Sequence, residues 1–345
     1  MSGSPTSAGS DLSRPRTFDD LFARGPLVAV NDDYKKVEEF LVESCASDFE
    51  LVPRVVRHLV EAGGKRIRPI VHCLAARLCG YEGEGHVVLA SVSEMIHSAT
   101  LFHDDVIDNG KVRRGRQTAN AVWGNQIPVL VGDFVFARAF TIMMDHGYYR
   151  IARELATTVE DLVQGELLQL THAGDPLLSR DVYTEIIRCK TASLFSWCGR
   201  SAAMIADLPP DRVEALSGFG HHFGVAFQIT DDVLDYAGNS SATGKGSLSD
   251  LREGKVTLPL ILAMEEDPRL GTEVESLLAA DEGGDGDGRV AAVADRVRES
   301  GAVELSIGIA EKHVDRALGA IEGFSPSSFR EALTELCRFI SSRTH

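Results

Sequence analysis

No Cys-x-x-Cys pair occurs in the 345-residue sequence: its six cysteines (Cys45, Cys73, Cys79, Cys189, Cys198 and Cys337) are scattered, several among Leu, Ala and Val. Zinc-ribbon and disulfide-scaffold readings drop out, and the thiols read as reduced core residues of a cytoplasmic protein. Positive charge is also short. Lys+Arg 35 against Asp+Glu 51 leaves a net charge of −16. Nucleic-acid binding through a basic face is thereby excluded, and any polyanionic ligand needs locally concentrated cations. No run approaches the ~18 apolar residues of a membrane helix, and the densest, Leu258 to Met264, contains Pro259. Met1 to Arg16 is Ser/Gly/Pro-rich and lacks the apolar core of a secretory signal. Residues 1–28 are expected to form a disordered tail ahead of one helical domain, residues 29–345.

Strand alternation is missing as well, and what fills its place is helical periodicity. Val88, Val92, Met95, Ala99, Phe102 and Val106 follow steps of four and three, lining one face of a helix. Breakers at Gly63-Gly64, Gly80, Gly110, Pro128, Gly174-Asp175-Pro176, Pro209-Pro210 and Gly238 to Gly246 divide the chain into many helices. The fold class is all-α. The acidic stretch Asp281 to Gly288 fails the register of a calcium loop and reads as an inter-helix connection.

One pattern occurs twice in apolar surroundings: Asp104-Asp105-Val106-Ile107-Asp108 and Asp231-Asp232-Val233-Leu234-Asp235. Residues i and i+4 share a helix face, so Asp104 pairs with Asp108 and Asp231 with Asp235. Two carboxylates about 4 Å apart repel by roughly 4 kcal/mol at an effective dielectric of 20. A cation must therefore sit there. All-oxygen donors suit a hard divalent ion, and Mg²⁺, which shares its coordination with phosphate oxygens, fits best.

Cations cluster around these acids. Gly63-Gly64-Lys65-Arg66-Ile67-Arg68-Pro69 is a glycine turn into a helix start, where free N–H groups favour an anion and Lys65 and Arg68 reinforce them. After the first acidic segment, Lys111-Val112-Arg113-Arg114-Gly115 offers guanidinium groups for bidentate phosphate binding. Lys190-Thr191 lies in an apolar helix, and Lys245 and Lys255 follow the second acidic segment. Arg66, Lys111 and Arg252 read as surface residues.

In this motif order, with Phe227-Gln228 before the second acidic segment and Gly254-Lys255 after it, the sequence resembles the trans-isoprenyl (polyprenyl) diphosphate synthases over about residues 30 to 341. The resemblance is to the medium- and long-chain, octaprenyl-, decaprenyl- or solanesyl-like type. It implies a single antiparallel helix bundle around a central cavity. About three Mg²⁺ ions would be held by Asp104, Asp105, Asp108, Asp231, Asp232 and Asp235, with Asp104, Asp108 and Asp231 foremost. Arg113, Lys190 and Lys245 would bind an allylic diphosphate, farnesyl or geranylgeranyl. Lys65, Arg68, His97 and Arg114 would bind isopentenyl diphosphate. Lys190, Thr191, Gln228, Lys245 and Lys255 would serve the reaction itself, a head-to-tail condensation through an allylic cation. In such enzymes aromatic residues just before the first acidic segment shorten the product, whereas Ala99 and Thr100 are small. The expectation is therefore an open floor and a long all-trans chain for a quinone, made by a homodimer loosely associated with membranes through its product. A geranylgeranyl diphosphate synthase and a non-catalytic partner subunit are the alternatives.

Overall fold

The structure, a computed structural model, describes residues 18–23, 25–237, 248–278 and 286–342. Helix α1 (Phe18–Ala23), a 3-10 turn (Pro26–Val30) and α2 (Asn31–Ser44) lead to α3 (Leu51–Glu61), α4 (Ile67–Leu78) and α5 (Gly85–Ile107). A small hairpin, β1 (Val112–Arg113) and β2 (Arg116–Gln117), precedes α6 (Ala119–Trp123), α7 (Gln126–Asp145) and α8 (Tyr149–Thr171). Helix α9 (Arg180–Ile187) runs through a π turn (Arg188–Ala192) into α10 (Ser193–Ile205), and α11 (Pro210–Tyr236) follows. The chain continues with α12 (Ser249–Arg252), α13 (Leu258–Glu266), α14 (Pro268–Leu278), α15 (Gly286–Glu299), α16 (Ala302–Ile321) and α17 (Ser328–Ser342).

The punctuation falls where the sequence puts it. Gly63 and Gly80 take positive φ between helices, and Pro210 opens α11 at a position whose N–H has no helical partner to lose. The periodic stripe on α5 is its core face: Val92, Ala99 and Phe102 are fully buried and Met95 nearly so. One apolar cluster joins α2, α4, α5, α7, α8, α10, α11 and α17, and a second joins α9, α11 and α13 to α16. Helix α11 belongs to both.

Its seam with α10 is unusually close. A Cβ built on Gly199 would lie 1.9 Å from the Leu216 carbonyl oxygen, and one on Gly220 would lie 2.0 Å from that of Phe195. Only glycine at both places lets the two backbones touch. That contact brings the π turn beside the C-terminal half of α11, where the second acidic segment lies.

The structure bears on four further expectations. The tail boundary at residue 28 is too late, because α1 and the 3-10 turn are packed, with Leu21 and Leu27 fully buried. The strand-free reading missed the hairpin, in which Arg114 (φ 51°) and Gly115 (φ 77°) make the two-residue turn that matches strand twist. By length and composition α7 could cross a membrane, with a mean hydropathy of 1.7, although Asp133 and Arg138 interrupt any continuous apolar run. Finally, residues 286–288 open α15, while 281–285 lie outside the described residues, as do 238–247 with Lys245.

Replacing Gly220 by Ala should force α10 and α11 apart. Overpacking of this kind costs roughly 1–3 kcal/mol, and thermal unfolding should register a Tm lower by several degrees.

Candidate active site

A cavity of about 920 Å³ opens between α4, α5, α8, the π turn and α11. Both acidic segments line it, from the last turns of α5 and α11, so the two rows share one hollow. Their six carboxylates are not equivalent. Asp105 is buried and held by Arg113, whose Nε and Nη2 reach its Oδ1 at 2.9 and 2.8 Å. Asp232 accepts from the Tyr183 hydroxyl at 2.5 Å and from Gln228 Nε2 at 2.8 Å. Burial, with Asp250 alongside, raises its pKa far above the carboxylate range, against the pull of those two donors. Asp235 accepts from the backbone N–H groups of Ser249 (3.1 Å) and Asp250 (3.0 Å), holding the start of α12. Three of the six expected metal ligands thus fix the walls. Asp104, Asp108 and Asp231 remain to face the cavity, with Lys255 Nζ 3.4 Å from Asp108 Oδ2.

Among the described residues no three acids or histidines are gathered closely enough to cage an ion unaided. The donors instead present separated, all-oxygen edges, which fit a hard divalent ion that completes its shell with water and a ligand's phosphate oxygens. Burial lifts the Asp104 carboxyl to about 6, where Lys190 opposes the rise and Glu166 and Asp108 add to it.

The cationic end is built on α4. Arg66 adopts a left-handed backbone (φ 46°) and starts that helix. Expected at the surface, it is instead buried and ion-paired to Glu94 at 2.6 Å and Glu38 at 3.1 Å. Arg68 lies over the Phe195 ring, 4.7 Å from its centroid, and its buried Nε lacks a partner. Arg114 crosses Gly64 so tightly that a Cβ there would meet its Nη1 at 2.7 Å. Lys65 Nζ sits 5.7 Å from the Phe18 ring and 5.8 Å from that of Phe339, so α1 and α17 complete this edge. His97 lines the cavity among these groups; burial, then Arg68, Arg113, Arg114 and Arg66, hold it well below its ordinary pKa and so neutral. All four residues expected at the isopentenyl end, Lys65, Arg68, His97 and Arg114, therefore meet at one place.

Across the cavity the π turn presents Lys190, ion-paired to Glu166 of α8, and Thr191, whose Oγ1 donates to Gln228 Oε1 at 2.7 Å. A chain of dipoles thus runs from Thr191 through Gln228 to Asp232 and Tyr183. The floor divides the two small residues: Thr100 lines the cavity, but Ala99 is fully buried in the core and is not part of the wall. Phe136, Val159, Leu162 and Val163 continue the lining beyond Thr100. Glu94, Glu166 and Tyr183 were missed from the sequence, since single residues on amphipathic helices carry no motif.

A family model described as Polyprenyl synthetase matches residues 49–294. The chain belongs to the polyprenyl synthetase family. It is 41% identical over 93% of its length, and 98% of the relative's, to the all-trans-nonaprenyl-diphosphate synthase (geranyl-diphosphate specific) of Rhodobacter capsulatus. To the octaprenyl diphosphate synthase of Escherichia coli it is 37% identical, over 90% of this chain and 96% of that one. A solved polyprenyl synthase from Caulobacter crescentus, complexed with calcium and isoprenyl diphosphate, superposes with a TM-score of 0.88 at 37% identity, covering 96% of this chain and 100% of the other. The all-α polyprenyl synthetase fold and the prenyltransferase class expected from the motifs are thereby established.

A carboxyl whose folded pKa exceeds its unfolded value binds its proton more tightly when folded, so it stabilises at low pH and that stability is lost as pH rises. For Asp104 the window runs from the unfolded value of 3.8 to about 6. Metal-free Asp104→Asn protein should therefore be more stable than the parent above pH 6 by about 1–2 kcal/mol, discounted for water in the open cavity. The difference should close towards pH 4 in melts run across that range.

Proposed function

We propose that the chain is an Mg²⁺-dependent synthase that condenses an allylic diphosphate, farnesyl or geranylgeranyl, with isopentenyl diphosphate, head to tail, into a medium- or long-chain all-trans polyprenyl diphosphate of the kind used as a quinone side chain. The observation that carries this reading is the single cavity in which two acidic edges, a guanidinium cradle and an apolar extension meet. Relatives at 37–41% identity are octaprenyl and nonaprenyl synthases, whereas solved geranylgeranyl pyrophosphate synthases stand at 27–32%. The long-chain reading is accordingly preferred to the geranylgeranyl one. Intact acidic segments and cations argue against a non-catalytic subunit.

In this reading Asp104, Asp108 and Asp231 hold about three Mg²⁺ ions, with Asp105, Asp232 and Asp235 fixing the walls behind them. When bound, the ions supply charge neutralisation for the leaving diphosphate. Lys190, Lys255 and Arg113 add positive charge on that side, with Lys245 assigned there from its motif position. Lys65, Arg68 and Arg114 grip isopentenyl diphosphate, and neutral His97 donates a hydrogen bond without adding charge. The allylic C–O bond breaks and its electron pair leaves with diphosphate. The isopentenyl double bond attacks the freed carbon, and the proton lost next goes to the departing diphosphate. Thr191 and Gln228 turn fixed dipoles towards the allylic cation, and the apolar walls exclude water that would quench it. Exposed apolar side chains on α7 (Leu130, 63%, and Met144, 42%) support a homodimer through this helix. A cytoplasmic site, with loose membrane association through the product, accords with this chemistry.

Incubating the purified chain with labelled isopentenyl diphosphate, farnesyl diphosphate and Mg²⁺ should yield products longer than geranylgeranyl. Geranylgeranyl alone would favour the shorter reading, and no turnover would favour the subunit reading. Asp231→Ala should lower turnover at least a hundredfold with the melting temperature retained or raised, since a mutual repulsion is removed. A bulky ring at the floor, Thr100→Tyr, should shorten the product in the same assay, while unchanged length would place the floor elsewhere.

A further inference from the structure

The chemistry proposed above makes no use of Glu166. Gly165 is the residue that brings it to the cavity: a Cβ there would stand 2.7 Å from both Cys189 Cβ and Lys190 N, so α8 touches the π turn directly. The next residue then meets the lysine that the turn projects, and Glu166 Oε2 pairs with Lys190 Nζ. The carboxylate is 14% exposed and its other oxygen, Oε1, is buried without a hydrogen-bond partner. It also lines the same cavity as Asp104 and Asp108 and acts electrostatically on Asp104.

A half-satisfied buried carboxylate is a costly arrangement unless something later supplies the missing donor. Paired in this way, Lys190 is neutralised by Glu166, and an approaching diphosphate meets one more negative charge. A water in the shell of a divalent ion held by Asp104 and Asp108 would satisfy Glu166 Oε1 and loosen its hold on Lys190. We propose that Glu166 is an exchangeable counter-ion for Lys190, which withholds the ammonium from diphosphate until the metal has arrived and so couples metal binding to diphosphate binding. The role is one of positioning through Lys190, and it rests on the placement of the allylic diphosphate given above.

The test measures inorganic pyrophosphate binding by calorimetry, with and without Mg²⁺, in the full chain and its variants. Without metal, Glu166→Gln should bind pyrophosphate roughly tenfold more tightly than the parent, as expected for removal of one nearby charge and release of another. With saturating Mg²⁺ that advantage should vanish, so the metal-induced gain shrinks by the same factor. In a Lys190→Met background the part of the Glu166→Gln gain that comes from releasing Lys190 should disappear, leaving only the smaller part due to the removed charge. Equal or weaker metal-free binding by Glu166→Gln overturns the proposal, and so does a full gain that survives loss of Lys190, because Glu166 would then act by charge alone. Glu166→Asp, which keeps the charge but shortens its reach, should give an intermediate gain and serves if the Gln variant melts early. Failure of the parent to bind pyrophosphate even with Mg²⁺ would instead count against the allylic-site assignment itself, separating the two ideas.

Discussion

Like charges held close together along one partly buried cavity are the constraint around which this protein is arranged. Acids outnumber bases by 16 in the whole chain, yet Arg66, Arg68, Arg113, Arg114 and Lys190 crowd one cavity with the aspartates. Several of these charges are matched internally: Asp105 by Arg113, Glu94 by Arg66, Glu166 by Lys190. What is left facing the cavity is an edge of carboxylates opposite an edge of guanidinium groups. On the proposed reading, that separation would let a diphosphate substrate meet a metal-holding edge on one side and a cationic edge on the other.

The helical frame is what keeps the edges apart. Helix α11 belongs to both apolar clusters, and its glycine-lined seam with α10 sets Thr191 within hydrogen-bonding reach of Gln228. At the other end the hairpin turn aims Arg113 and Arg114 in different directions, one at Asp105 and one across Gly64.

Much of this was legible before any coordinates. A twice-repeated acidic spacing on apolar helices announces its own chemistry, because such a charge density cannot persist without a cation. The periodic face of α5 and the glycine and proline boundaries followed from local rules. What stayed hidden depended on partners distant in sequence. Arg66 looks like a surface residue until Glu38 and Glu94 close on it from α2 and α5. Ala99 and Thr100 are adjacent and equally small, and only the rotation of α5 decides that one meets the cavity and the other the core. The middle acid of each segment and the last of the second share a motif with their neighbours, yet tertiary hydrogen bonds give Asp105, Asp232 and Asp235 separate work.

The short helix ahead of residue 25 carries a practical lesson. Its composition invites anyone designing an expression clone to trim it or to replace it with an affinity tag. Because the Phe18 ring lies beneath the ammonium of Lys65, such a shortened or fused version would not be a neutral copy of the enzyme, and affinities measured with it at the proposed isopentenyl end would describe a different pocket.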